Sequence, residues 1–134
     1  MTALRVLLDT HFLIWLISNP DEMSQREHAC ISAPDTQLIV SAVSIWELRT
    51  KWNLRHARGS RKGNLPPEAG IDYAVTNGID LVSLTADDAV AELEAAPPHR
   101  DPFDEMLLVH AQRLDAKLLT RDRNLIGHPL VLQL

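Results

Sequence analysis

Four acidic residues stand in four separated segments of this 134-residue chain, each where a strand ends or a helix begins. Asp9 follows Arg5-Val6-Leu7-Leu8, and Glu47 lies within Ser44-Ile45-Trp46-Glu47-Leu48. Asp104 closes His99-Arg100-Asp101-Pro102-Phe103-Asp104, and Asp122 follows Leu118-Leu119-Thr120-Arg121. In an open α/β sheet such positions converge on the crevice beyond the carboxyl ends of the strands. Carboxylates gathered there repel one another unless a positive charge holds them, and hard divalent cations with oxygen ligands meet that need. The pattern points to metal-dependent phosphate chemistry.

Each acid also has an ordinary structural role open to it. Asp9 suits the N-cap of the helix that follows. Ser44 and Glu47 have the spacing of a capping box, yet Ile45, Trp46 and Leu48 around Glu47 would desolvate its carboxylate. Asp101 reads as a cap ahead of Pro102. Asp104 shares a helix face with Leu107, Leu108 and Ala111, where a carboxylate needs a partner. Asp122 suits a turn, and its weight comes from being the fourth acid in the same kind of place. The six histidines and Cys30 show no zinc-type spacing, no glycine-rich phosphate loop follows a strand, and no nucleophile elbow is present. Trp15, Trp46 and Trp52 read as core or dimer contacts.

The net charge of −5 argues against a polyanionic partner until the charges are placed. Arg49, Lys51, Arg55, Arg58, Arg61 and Lys62 fall in one stretch without an acid, nearly half of the 13 Lys and Arg. A basic strip beside an acidic pocket suits a nuclease, the strip attracting phosphates while metal ions neutralise the pocket. The bland reading is a solvated loop.

The elements that must position these residues are legible in outline. Strands are expected over 4–8, 37–41, 79–84 and 117–120, with a short edge strand over 131–133. Helices are expected over 12–17 and from Ser24 with its capping-box partner Glu27 to Ile31. Further helices are expected from Val43 onward with Ile45, Trp46, Leu48 and Trp52 as an apolar stripe, from Pro67 to about Asn77-Gly78, from Thr85 with Asp88 through Ala95, and from Asp101-Pro102 to about Leu114. Residues 57–67 read as a loop. Strands alternating with helices predict an α/β fold, a three-layer α/β/α sandwich with a mainly parallel sheet of four or five strands. Length and composition suit one domain, 1–134, without internal repeats. A single cysteine fits a reducing compartment, and the apolar N-terminal run, interrupted by Asp9 and His11, is no signal peptide, so the expected location is cytoplasmic.

Taken together, Leu7-Leu8-Asp9-Thr10-His11, Ser41-Ala42-Val43-Ser44-Ile45-Trp46-Glu47, His99-Arg100-Asp101-Pro102-Phe103-Asp104 and Leu119-Thr120-Arg121-Asp122 resemble the PIN-domain ribonucleases, in particular the VapC-type toxins of toxin–antitoxin pairs. The Asp-Pro-Phe-Asp piece is the most specific. The resemblance implies magnesium or manganese binding, endonucleolytic cleavage of RNA, a homodimer and a neutralising antitoxin. By position it implies that Asp9, Glu47, Asp104 and Asp122 form a catalytic, metal-binding quartet assisted by the hydroxyls of Thr10 and Thr120. Arg49, Lys51, Arg55, Arg58, Arg61 and Lys62 would then track the RNA backbone. Glu105 departs from the family, which often carries Arg there. Two other classes fit the same residues: a non-catalytic binding module whose acids are caps, and a structure-specific DNA nuclease, which usually needs helical elements this length leaves little room for.

Overall fold

The computed structural model describes residues 4–55, 59, 60, 63 and 65–134. Among them the strands β1 (Leu4–Leu8), β2 (Thr36–Ser41), β3 (Asp80–Val82), β4 (Lys117–Leu119) and β5 (Val131–Leu132) form one sheet in the order β3-β2-β1-β4-β5. Every neighbouring pair is parallel. The helices are α1 (Thr10–Ser18), α2 (Gln25–Ser32), α3 (Ala42–Asn53), α4 (Pro67–Thr76), α5 (Ala86–Val90) and α6 (Pro102–Arg113).

Alternation along the strands divides the interior into two cores. Val6, Leu8, Val40 and Leu119 point to one face and pack with Phe12, Leu13 and Met23. Leu7, Ile39 and Leu118 point to the other and pack with Leu107, Leu108 and Ala111 of α6. Helix α3 serves both, sending Leu48 into the first core and Val43 into the second. Burying leucines such as Leu7, Leu8, Leu107, Leu108 and Leu118 completely stabilises the fold by roughly 1.5–3 kcal/mol each. The result is the three-layer α/β/α sandwich that the sequence predicts.

Local rules set most boundaries. Ser24 and Glu27 form the expected capping box of α2, with both hydrogen bonds present. Pro67 occupies the first turn of α4, and Gly78, at φ +65°, follows its end. Asp101 caps α6, accepting from the N–H groups of Phe103 and Asp104.

Four expectations are corrected. The cap of α3 is Ser41, not Ser44; its hydroxyl accepts from the Val43 N–H at 2.9 Å, so Ser44 and Glu47 lie inside the helix and form no capping box. Trp46 leaves the expected apolar stripe and is 48% exposed. Thr85 and Asp88 form their capping box, but α5 stops at Val90 rather than Ala95. Val90 faces solvent, and the next residues bond to α6 instead, Glu94 N–H to Gln112 Oε1 and Gln112 Nε2 to the Glu92 carbonyl. Strand β3 is also shorter than 79–84. No helix among the described residues is long and apolar enough to cross a membrane.

Candidate metal centre

Strand order reverses at β1, so the crevice of this sheet opens at the carboxyl ends of β1 and its neighbour β4. Asp9 lies at that point. Its N–H donates to the Leu119 carbonyl at 3.2 Å, its Oδ1 accepts from the Phe12 N–H at 2.9 Å as the cap of α1, and its Oδ2 accepts from the Thr120 hydroxyl at 2.6 Å. Burial raises the Asp9 pKa and the Glu47 charge adds to this, against the hydrogen bonds from Thr120 and Phe12 and the charge of His11.

Glu47 is half-buried one turn and a half into α3. The Thr10 hydroxyl donates to its Oε1 at 2.6 Å and lies 3.2 Å from the Ser44 hydroxyl. Lys51, one turn on, is 3.6 Å from its Oε2. The expected apolar surround of Glu47 is therefore a polar one.

Asp104 sits in the first turn of α6. Burial, then the charges of Asp101 and Asp122, push its carboxyl up to about 6, although the hydrogen bond and charge of His99 act the other way. The His99 Nε2 is 3.0 Å from Asp104 Oδ2, while the buried His99 Nδ1 has no hydrogen-bond partner among the described residues. Asp122 closes a turn by accepting the Asn124 N–H at 2.9 Å. Thr120 accepts the Asp122 N–H at 3.1 Å while donating to Asp9, so one hydroxyl joins two of the acids.

Asp9 and Asp122 line one cleft of about 260 Å³ with His11, Trp15 and Arg121. Asp9 and Glu47 interact by charge, as do Asp104 and Asp122. Direct ligand-distance convergence is narrower. Among the described residues, the three whose donor atoms lie within 4.8 Å of one another are His99, Asp101 and Asp104.

The basic stretch divides. Arg49 is exposed and lines an apolar groove with Ile45, Trp46, Ile71 and Leu81, Lys51 pairs with Glu47, and Arg55 donates to the Gly59 carbonyl at 3.0 Å. Arg58, Arg61 and Lys62 lie outside the described residues. Glu105 is exposed.

Several residues of consequence escaped the sequence reading. Arg121 donates to buried Glu27 at 2.8 Å and to the Glu22 carbonyl at 2.8 Å, and lies 4.6 Å over the Trp15 ring, which fixes a cation close enough to act on Asp9. His99 has no zinc-type spacing with the other histidines, and the signal that marks it is the His-x-Asp-x-x-Asp spacing to Asp101 and Asp104. Ser41, His110 and Asp88 meet in the interior from segments 69 and 22 residues apart, with no local signal.

The hard-cation chemistry fits these residues. Two buried or half-buried carboxyls are destabilised as anions, one of them chiefly by burial and like charge, and an imidazole nitrogen on the residue beside Asp104 is unpartnered among the described residues. Asp9, Glu47, Asp104 and Asp122 are the carboxylates whose oxygens would suit such an ion.

No curated protein sequence matches the chain. Among solved structures it is similar to VapBC2 from Rickettsia felis, bound to a DNA fragment from their promoter, at 15% identity over 98% of each chain with a TM-score of 0.64. It is similar also to VapBC-1 from nontypeable Haemophilus influenzae, at 17% identity over 89% of this chain and 87% of that one, TM-score 0.54. Both likenesses are of fold. The PIN domain model matches residues 6–128, a span from β1 past all four acids, and the chain belongs to the PIN-domain family.

Proposed function

We propose that this chain is a magnesium- or manganese-dependent endoribonuclease and the toxin of a toxin–antitoxin pair, working as a homodimer neutralised by its antitoxin. The observation that carries the reading is Asp104, a helix-borne carboxyl destabilised as an anion by burial and two like charges at the edge where Asp9 and Asp122 share a cleft. Membership of the PIN-domain family and the likeness of fold to two VapBC structures support the nuclease and the antitoxin partner. Asp9, Asp104 and Asp122 would hold a divalent ion, with Glu47 beside them. Such an ion polarises a phosphodiester and lowers the pKa of water it holds. The chain's own residues set that chemistry up. Thr120 orients Asp9 and the Asp122 backbone, Thr10 orients Glu47, and Arg121 supplies fixed positive charge beside Asp9.

The non-catalytic reading has an observation in its favour, since Asp9 caps α1 and Asp122 closes a turn. Capping does not account for Asp104, whose side chain caps nothing and meets His99 instead. Incubating the purified protein with total RNA, with and without manganese, tests the choice. Cleavage should require manganese, and Asp9→Asn or Asp104→Asn should lower it on the order of a thousandfold while leaving the fold intact. Undiminished cleavage by either variant, or cleavage in chelator, refutes the assignment. Flapped DNA cut faster than RNA would favour the DNA-nuclease class.

A further inference from the structure

We propose that Asp88, His110 and Ser41 are positioning residues for the acid site, holding α3 and α6, the helices that carry Glu47 and Asp104, in fixed register. The inference rests on the metal-nuclease reading above. Three elements contribute: Ser41 at the junction of β2 and α3, His110 on α6 and Asp88 on α5, at 0%, 1% and 7% exposure. His110 Nε2 is 3.0 Å from Asp88 Oδ2, and its Nδ1 is 2.7 Å from the Ser41 hydroxyl.

One arrangement gives every hydrogen an acceptor. Asp88 accepts from Arg113 Nε at 2.6 Å and from the Thr85 N–H at 2.9 Å. Burial pushes its carboxyl up, but the bonds from Thr85, His110 and Arg113 together outweigh it and hold the pKa at about 2. Asp88 is therefore an acceptor, and His110 Nε2 donates to it. In a neutral imidazole whose Nε2 donates, Nδ1 is the acceptor, so the Ser41 hydroxyl donates to it while its oxygen accepts from the Val43 N–H. A Ser–His–Asp row suggests a nucleophile, and burial excludes that. Ser41 is closed to solvent and its oxygen is engaged in capping α3.

What the row does follows from where its ends are tied. Ser41 starts α3, whose first two turns carry Ser44 and Glu47, both beside Thr10. His110 lies on α6, whose first turn carries Asp104. The same two helices also meet where the Trp46 and Phe103 rings lie 4.8 Å apart, next to Glu47 and Asp104 in sequence. An aromatic pair tolerates sliding, whereas a hydrogen bond weakens steeply with angle. The Ser41–His110 bond is thus the tie that resists rotation of α3 against α6, and small misplacements of reacting groups are costly.

Manganese binding to the intact chain, followed by electron paramagnetic resonance of the free ion, tests this with melting curves on the same samples. His110→Ala and Ser41→Ala should each weaken manganese binding about tenfold in protein that remains folded, while Ser41→Thr, which keeps the hydroxyl, should bind as the wild type does. A role in stability alone lowers the melting temperature and leaves manganese affinity untouched, and that result overturns the proposal. If His110→Ala does not fold, Ser41→Ala against Ser41→Thr decides the question. Wild-type protein that binds no manganese defeats the metal reading and this proposal together; wild-type binding with undiminished alanine variants defeats the positioning role alone.

Discussion

Burial and the neighbouring charges of Asp101 and Asp122 raise the Asp104 carboxyl from 3.8 to about 6, against the opposing pull of His99. The fold therefore favours the neutral acid. Its contribution to stability is present in full below about pH 4 and is lost as pH rises through about 6, because the folded protein must then carry an anion it poorly solvates. A divalent ion competes with that proton, so binding should strengthen across the same interval. Manganese should accordingly raise the melting temperature by several degrees at about pH 7.5 and by much less at about pH 5. A rise of equal size at both values would separate Asp104 from the ion. The acids themselves were visible in sequence because each follows an apolar run or heads a helix. Their partners were less so. Thr10 and Thr120 stand out only through the family resemblance and His99 only through its spacing to Asp104, while the reach of Arg121 from beyond β4 to Glu27 and Trp15 is a juxtaposition that no local pattern encodes.

Helix α4 shows how closely the elements bearing the site are fitted. A Cβ on Gly70 would lie 2.7 Å from Ile45 Cδ1, 3.1 Å from Leu48 Cδ1 and 3.4 Å from Leu13 Cδ2, so the glycine lets α4 approach both α3 and α1. Gly70→Ala meets chiefly the movable end of Ile45, and the gain in helix propensity, about 1 kcal/mol, offsets much of the crowding. Gly70→Leu has no such escape. It should cost about 1–3 kcal/mol in urea unfolding and, by displacing the helix that carries Glu47, lower RNA cleavage as well. A leucine variant of wild-type stability would show that α4 is free to move away. Sequence rules located the strands and most caps here because hydrophobic period and N-cap chemistry are local. They assigned the α3 cap to Ser44 rather than Ser41, although the helix starts within a residue of the expected Val43, because only the end of β2 decides between the two serines. They overextended α5, since the polar residues after Val90 bond to α6 and leave no helix face to bury.

At the scale of the whole molecule, a chain of net charge −5 with four carboxylates at one sheet edge would bind a polyanion only across its own repulsion. The described residues of the basic stretch relieve little of this at the acids themselves, because Arg49 lines an apolar groove and Arg55 turns back on its own loop, while Lys51 pairs with Glu47. If the acids hold no ion, the repulsion is permanent and RNA affinity is indifferent to divalent ions apart from general screening. If they hold an ion, the sign of the local field depends on whether the ion is there. Asp104→Asn separates the two cases at about pH 8, where Asp104 is ionised. In chelator the variant lacks one negative charge and should bind a short single-stranded RNA about fivefold more tightly than the wild type at low ionic strength, an advantage that salt erodes. In manganese the order should reverse, because the wild type recruits a divalent cation that the variant holds poorly. Fluorescence anisotropy titrations of the two proteins, each with chelator and with manganese, read the crossing directly. Parallel behaviour in both conditions would leave Asp104 without a role in holding an ion.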